Sequence, residues 1–181
     1  MEDITGLTLQ DYFAQRIFAP LGMTTSVLNY RPEGGQHLAR PWRTTLAGPQ
    51  PIPHRANAPF FAPTGSVEAS AEDMARYAIA IMNGGAVLDP LRTHLFTPLA
   101  QNHEALGAIG MAWFLYDWNG TRIVQHAGAF GAFSSWLILI PETKTAMFFG
   151  WAGPPTSEGI DPFGFTQLRN SFLSAALGPP D

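Results

Sequence analysis

The stretch Thr121-Arg-Ile-Val-Gln-His-Ala-Gly-Ala-Phe-Gly-Ala-Phe-Ser-Ser-Trp-Leu-Ile-Leu-Ile140 indicates the fold, because aromatic and β-branched residues recur along it and no proline interrupts it. Similar runs lie on either side, from Ile109 to Trp118 and from Thr145 to Ala152. Asn119-Gly120 and Pro141-Glu142 separate these runs, and Asn-Gly is a strong hairpin signal. The pattern predicts about four antiparallel strands, at 109–118, 121–126, 133–140 and 145–152.

Capping signals predict helices around these strands. Thr8 and Ser70 are each followed three residues later by an aspartate, which is the spacing of a capping box. Asp89-Pro90 and Asp161-Pro162 each place proline at a first helical position. The predicted helices are 9–18, 71–83, 90–99 and 162–177, and the last should turn Phe165, Leu168, Phe172 and Ala176 inward.

The chain is expected to form a single domain, since it has 181 residues. Prolines and glycines recur from Tyr30 to Thr64 and predict a long loop. The predicted organisation is helices and the proline-rich loop in 1–107, antiparallel strands in 108–153, and a C-terminal helix in 161–178.

Composition excludes several classes of partner. Only 13% of residues are charged, the net charge is −4, and Lys144 is the one lysine, so no basic patch for nucleic acid is expected. Cysteine is absent, which excludes disulfides and cysteine nucleophiles. The longest unbroken apolar run, Trp136 to Ile140, is far shorter than a membrane span, and the acidic start at Glu2-Asp3 is unlike an export signal.

The common serine-nucleophile motifs are missing from this sequence. A Ser-x-x-Lys dyad would need serine three residues before Lys144, and position 141 is proline. No Tyr-x-Asn follows any tyrosine, and no serine has glycine two residues before and two residues after it.

One histidine has an environment typical of a ligand site. His126 is followed by Ala-Gly-Ala at the end of a predicted strand, where small residues let the backbone approach a ligand closely. The other four histidines show no metal-ligand spacing, so neither a metal nor a cofactor is expected. These four, interpreted as packed or solvated, are His37, His54, His94 and His103.

Three blocks of sequence, in order, resemble the serine β-lactamase-related family, which contains class C β-lactamases, penicillin-binding proteins, D-amino-acid peptidases and esterases. The blocks run from Ile4 to Met23, from Gly65 to Gly85, and from His126 to Glu142. The resemblance implies an α+β fold of the β-lactamase/transpeptidase type, with an antiparallel sheet flanked by helices. It also implies a small-molecule substrate for the full-length parent: an ester, an amide or a D-amino-acid peptide.

In that family the nucleophilic serine, its lysine and the Tyr-x-Asn element precede the segment matched by Ile4 to Met23. The resemblance therefore implies that the nucleophile helix and two N-terminal strands are missing here. The sheet would then have an uncovered edge that another chain could complete.

The resemblance assigns roles only to the third block. His126 matches the lysine or histidine that lines the cleft, Gly128 would keep the strand open to substrate, and the backbone N–H of Ala129 matches an oxyanion donor. Because a free imidazole is mostly neutral at pH 7, histidine here favours an ester or peptide substrate over a β-lactam.

Two hypotheses follow. The chain is either the C-terminal part of a serine hydrolase, inactive by itself, or a non-catalytic binding or interaction domain of the same fold. A third, weaker hypothesis is that the missing strands come from another chain.

Overall fold

The structure is a computed structural model that describes residues 1–28, 39–52, 62–84, 94–101, 107–130, 133–153 and 165–180. Its largest element is a six-stranded sheet. The strands in chain order are β1 (Val27–Leu28), β2 (Trp42–Thr45), β3 (Gly48–Pro51), β4 (Val67–Glu68), β5 (Ala100–Gln101), β6 (Ala108–Ile109), β7 (Phe114–Trp118), β8 (Thr121–Phe130), β9 (Phe133–Ile140) and β10 (Thr145–Ala152). The helices are α1 (Glu2–Thr5), α2 (Leu9–Phe13), α3 (Ala62–Gly65), α4 (Ala71–Asn83) and α5 (Phe165–Leu177).

The large sheet is a meander with the strand order β10-β9-β8-β7-β6-β5. The pairs from β5 to β8 are antiparallel. The predicted α+β class with an antiparallel sheet is confirmed. Among the described residues the sheet has six strands rather than about four. The strand predicted for 109–118 is wrong as a single strand, because a turn in which the N–H of Gly110 donates to the carbonyl oxygen of Trp113 divides it into β6 and β7, and the two-residue β5 is too short to show a period. The expected pairing of an edge strand with another chain stays a prediction.

The β7–β8 hairpin follows from its turn. Asn119 and Gly120 have φ angles of 50° and 79°, as a type I′ turn requires, and the pairing of Trp118 with Thr121 sets the register. The indole N–H of Trp118 donates to the carbonyl oxygen of Gly178 at 3.0 Å, which ties the end of α5 to the hairpin.

The core beneath α5 is built on alternate residues of neighbouring strands. Its buried members are Trp118, Ile123, Ile138, Ile140 and Leu173. In β9, residues 137–140 are all buried, so this part of the strand is covered on both faces.

Two predicted helices are correct in extent. Thr8 caps α2 by accepting from the Asp11 N–H at 3.1 Å, and the helix continues to Phe18. Its second half, Ala14–Phe18, is π-wound. The second predicted helix is α4, Ala71–Asn83.

The helix predicted for 90–99 ends earlier than predicted. Residues 85–93 lie outside the described residues; helical structure covers only His94 and Leu95, and strand β5 begins at Ala100. The carbonyl oxygen of Ile109 accepts from the Leu99 N–H at 2.8 Å, so this segment pairs with its neighbour instead of with itself.

The predicted inner face of the last helix is partly wrong. Helix α5 ends at Leu177 as predicted, and its predicted start lies outside the described residues. Leu168 is 45% exposed and Ala176 is exposed, whereas Leu173 is fully buried. The inward face of α5 differs from the prediction because Arg169 lies on it: its guanidinium stacks on the rings of Tyr116 and Trp136, where the pattern predicted only apolar residues.

The first 107 residues also contain strands that the sequence pattern did not predict. Strand β1 pairs with β4, and β2 pairs with β3, each as an antiparallel two-stranded sheet. The predicted organisation into helices and a loop in 1–107, strands in 108–153 and a helix in 161–178 stays a prediction.

The chain separates into two compact units. The first comprises Met1–Tyr77, Gly128–Ser134 and Gly150–Pro154, and its buried apolar residues include Phe18, Met23 and Leu28. The second comprises Ala78–Ala127, Ser135–Phe149 and Pro155–Asp181 and holds the core beneath α5. The expectation that the chain is one domain stays a prediction.

No helix among the described residues is both long enough and apolar enough to cross a membrane.

Candidate functional site

Strand β8 emerges from the core at His126. Residues 123–125 of this strand are buried, and the next four residues, 126–129, are all exposed. The strand runs to Phe130, four residues beyond its predicted end, so Gly128 and Ala129 have extended backbone. An imidazole is therefore followed by exposed strand backbone with only small side chains, which a ligand can approach.

The imidazole of His126 contacts aromatic rings. Its ring centroid lies 6.4 Å from that of Trp113, edge to face at 86°, and 5.9 Å from that of Phe114, stacked at 28°. Trp113 is only 7% exposed, and Phe96 packs against it at 6.3 Å. Among the described residues no hydrogen-bond or ion-pair partner of His126 is present, so ring packing sets its orientation.

The residue before His126 anchors the strand. Gln125 is buried, and its Oε1 accepts from the indole N–H of Trp136 at 3.1 Å. Because side chains alternate along a strand, Gln125 and His126 lie on opposite faces of the sheet. This hydrogen bond limits movement of the backbone that carries the imidazole.

The remaining histidines do not gather into a site within the described part of the chain. His94 is exposed, and His37, His54 and His103 lie outside the described residues. In the described ranges no group of three or more histidine, aspartate or glutamate side chains could hold a metal ion.

A second polar cluster is centred on Asp73, a residue that the sequence suggested only as part of a capping box. Asp73 is fully buried. Its Oδ2 accepts from the N–H of Thr25 at 2.9 Å, from the hydroxyl of Thr25 at 2.7 Å and from the hydroxyl of Ser26 at 2.9 Å. Its Oδ1 accepts from Arg76 at 3.0 Å.

Burial alone would raise the pKa of Asp73, but the hydrogen bonds from Thr25, Ser26 and Arg76 together outweigh it and hold this pKa below 3.8. A buried carboxylate that accepts four hydrogen bonds and has a lowered pKa is suited to a structural role rather than to acid–base chemistry. Sequence reasoning could not find this cluster, because Thr25 and Asp73 are 48 positions apart.

The third cluster surrounds Tyr116 under α5. The guanidinium carbon of Arg169 lies 5.2 Å from the Tyr116 ring centroid and 5.6 Å from that of Trp136. The Tyr116 hydroxyl is buried, and no described residue is within hydrogen-bonding distance of it. Burial raises the pKa of Tyr116 to about 12 although the charge of Arg169 acts to lower it.

Comparison with solved structures gives the class: the structure has the β-lactamase/transpeptidase fold. The family model described as Beta-lactamase matches residues 1–161. The chain belongs to the beta-lactamase family.

Two curated proteins are similar to this chain. One is the unguisins hydrolase of Aspergillus campestris, 28% identical over 158 residues, covering 81% of this chain and 29% of the hydrolase. The other is penicillin-binding protein 4 of Amycolatopsis lactamdurans, 27% identical over 196 aligned positions, covering 98% of this chain and 49% of the relative.

Two solved structures share the fold. The octameric penicillin-binding protein homologue from Pyrococcus abyssi superposes with a TM-score of 0.75 at 19% identity, covering 99% of this chain and 40% of the homologue. A D-stereospecific amidohydrolase from Streptomyces gives a TM-score of 0.68 at 13% identity, over 84% of this chain and 46% of the enzyme. The chain thus spans less than half the length of each of these relatives.

Proposed function

We propose that this chain forms the C-terminal part of a serine hydrolase that cleaves an ester, an amide or a D-amino-acid peptide through an acyl-enzyme. The observation that carries the proposal is the exposed end of β8, where His126 leads into the exposed backbone of residues 127–129. The proposed substrate class is also in keeping with relatives named as a unguisins hydrolase and a D-stereospecific amidohydrolase.

The proposed roles follow from chemistry and position. The backbone N–H of Ala129 donates to the oxyanion of the tetrahedral intermediate, where a preorganised donor contributes most to the rate. His126 exchanges hydrogen bonds with the substrate and with the catalytic hydroxyl, and Gly128 lets substrate lie close to the strand. A neutral imidazole suits an ester or peptide better than the carboxylate of a β-lactam.

The nucleophile is proposed to come from residues outside this sequence, because the chain contains no Ser-x-x-Lys. In subtilisin, loss of the nucleophilic serine lowers turnover by about 10⁶-fold, so the chain by itself should have negligible acyl-transfer activity. Incubation with a fluorophosphonate probe, followed by intact-mass analysis, should show no stoichiometric labelling. Labelling of a single serine in this chain would contradict the proposal.

The matching positive test uses a longer polypeptide from the same source that contains this sequence after a Ser-x-x-Lys motif. It should be labelled, and His126→Ala should slow acylation by about 100-fold or more. His94→Ala is the control, since His94 is an exposed histidine outside the proposed site, and it should leave acylation unchanged.

A second candidate function is a non-catalytic binding domain, favoured by the absence of Ser-x-x-Lys and Tyr-x-Asn from the sequence. Here the surface around His126 holds a ligand without reacting with it. Mass spectrometry of the native source separates the two candidates: a product of 19.7 kDa supports the binding domain, and detection of only a longer polypeptide excludes it.

A further inference from the structure

We propose that Trp113 and Phe114 are positioning residues that hold the imidazole of His126 by ring contacts and so leave both of its nitrogens available to a ligand. This inference deepens the proposed function and rests on it for the catalytic consequence.

The ring contacts constrain the imidazole from two directions. Trp113 meets the His126 ring edge to face at 86°, and Phe114 stacks on it at 28°. Aromatic pairs of both geometries are favourable beyond the apolar area they bury. Together they restrict the rotation of an otherwise exposed side chain without using a hydrogen bond.

The hydrogen-bonding capacity of His126 is the important consequence. A histidine oriented by a carboxylate or carbonyl has one nitrogen committed and its tautomer set. Among the described residues nothing bonds to either nitrogen of His126. A neutral imidazole held this way can accept at one nitrogen and donate at the other, which is what a group between a catalytic hydroxyl and a substrate requires.

The turn that leads to Trp113 is closely packed. The N–H of Gly110 donates to the carbonyl oxygen of Trp113 at 2.8 Å, and a Cβ at Gly110 would lie 2.5 Å from the carbonyl oxygen of Leu95. Ala112 has a φ of 62°, a left-handed conformation that is unfavourable for alanine. Such strain persists only where surrounding contacts impose it, and here it immediately precedes the residue that contacts His126.

Phe96 also contacts Trp113. Its ring packs edge to face on Trp113 at 79°, and it follows Leu95, whose carbonyl crowds the turn. Trp113 is thus buried and contacts the rings of both Phe96 and His126.

The test compares leucine variants of two tryptophans: Trp113, which immediately precedes β7, and Trp118, which is the last residue of β7. Trp113→Leu removes the ring beside His126, and Trp118→Leu removes a similarly buried ring at the other end of β7. In the full chain, the carbon-bound imidazole protons of His126, assigned by their loss in His126→Gln, should change chemical shift in Trp113→Leu and stay unchanged in Trp118→Leu. Trp113→Phe, which keeps an aromatic ring, should move the shifts back toward the wild-type values.

A second measurement does not require Trp113→Leu to fold. The wild-type chain should show nuclear Overhauser contacts between His126 and both Trp113 and Phe114, and the milder Phe114→Leu should also move the His126 resonances. Absence of these contacts, or equal shifts in both tryptophan variants, overturns the proposal.

The catalytic consequence is measured on a longer, active polypeptide that contains this sequence. Trp113→Leu should lower kcat by about 10- to 100-fold with little change in KM, because a slightly misplaced group costs rate more than binding. Wild-type polypeptide that fails to turn over refutes the proposed function and leaves the magnetic-resonance result intact. A normal kcat in Trp113→Leu refutes the positioning role.

Discussion

At the scale of single residues, the carboxylate of Asp73 is a buried polar group with several hydrogen-bond partners. It is a charged side chain with no exposed surface, and it accepts four hydrogen bonds from three residues. Thr25 and Ser26 lie between α2 and β1, so Asp73 fastens that connection to the first turn of α4. Removing it would leave the buried hydroxyl of Ser26 and the part-buried donors of Thr25 and Arg76 without this acceptor.

We expect Asp73→Ala to lower the free energy of unfolding of the chain by about 3 kcal/mol, because the buried Ser26 hydroxyl and the part-buried donors of Thr25 and Arg76 lose a charged acceptor. Urea denaturation followed by far-UV circular dichroism measures the change. The control is Glu72→Gln, whose side chain is 75% exposed and pairs with the same Arg76. It should cost less than about 1 kcal/mol. Equal losses in the two variants would contradict the anchoring role.

Tyr116 is the opposite case, a buried hydroxyl that no described residue satisfies. Tyr116→Phe should therefore raise the free energy of unfolding at neutral pH by about 1 kcal/mol, since it removes a desolvated polar group and keeps the ring that Arg169 contacts. Thermal and urea denaturation would show it. A clear loss of stability would mean that the hydroxyl has a partner in solution.

At the scale of elements, the turns determine how the strands of the large sheet are presented. Two glycines with similar backbone angles make this testable. Gly107 has a φ of 70° and Gly120 a φ of 79°, so both have left-handed conformations that other residues rarely adopt. They differ in their surroundings: a Cβ at Gly107 would overlap the carbonyl oxygen of Leu115, and one at Gly120 would meet nothing within 4 Å.

Gly120→Ala should cost about 1 kcal/mol of stability, the price of the backbone angle alone. Gly107→Ala should cost about 2–4 kcal/mol, because overpacking against β7 is added to it. Parallel urea titrations of both variants give the difference directly. If the two costs were equal, the close approach of residue 107 to strand β7 would be wrong.

At the scale of the whole molecule, stability should depend on pH at both extremes. The pKa of Asp73 is lower in the folded chain than its ordinary value of 3.8, so its contribution is present above that value and is lost as the pH falls through the folded pKa. The pKa of Tyr116 is raised from 10.0 to about 12, so the contribution of its neutral form is present below pH 10 and is lost as the pH rises toward 12.

Urea denaturation across pH should therefore show stability falling below about pH 4 and above about pH 10. Asp73→Asn should flatten the acid limb, and Tyr116→Phe should reduce the slope of the alkaline limb. Tyr77, whose pKa is also raised by burial, accounts for slope that remains in Tyr116→Phe. An alkaline limb unchanged by Tyr116→Phe would contradict the raised pKa of Tyr116.

Local signals in the sequence determined the strands from β7 to β10 and two helices of this molecule. Asn119-Gly120 forms the predicted turn, β9 and β10 have the predicted bounds, and α4 begins after Ser70 and ends at Asn83. They succeed because turn conformation, capping and side-chain alternation act between residues a few positions apart. His126 was also identifiable, since its position at a strand end among small residues is a local property.

Only the tertiary structure decided which side chains surround these elements. The aromatic contacts of His126, the hydrogen bonds from Thr25 and Ser26 to Asp73, and the stacking of Arg169 join residues from 12 to 53 positions apart, and local sequence patterns do not indicate which distant residues pair. The same reason explains the inward face of α5, where apolar periodicity favoured Leu168 and packing selected Leu173 and Arg169. Burial and hydrogen bonding depend on which distant segments of the chain pack together, and only the folded structure decides that.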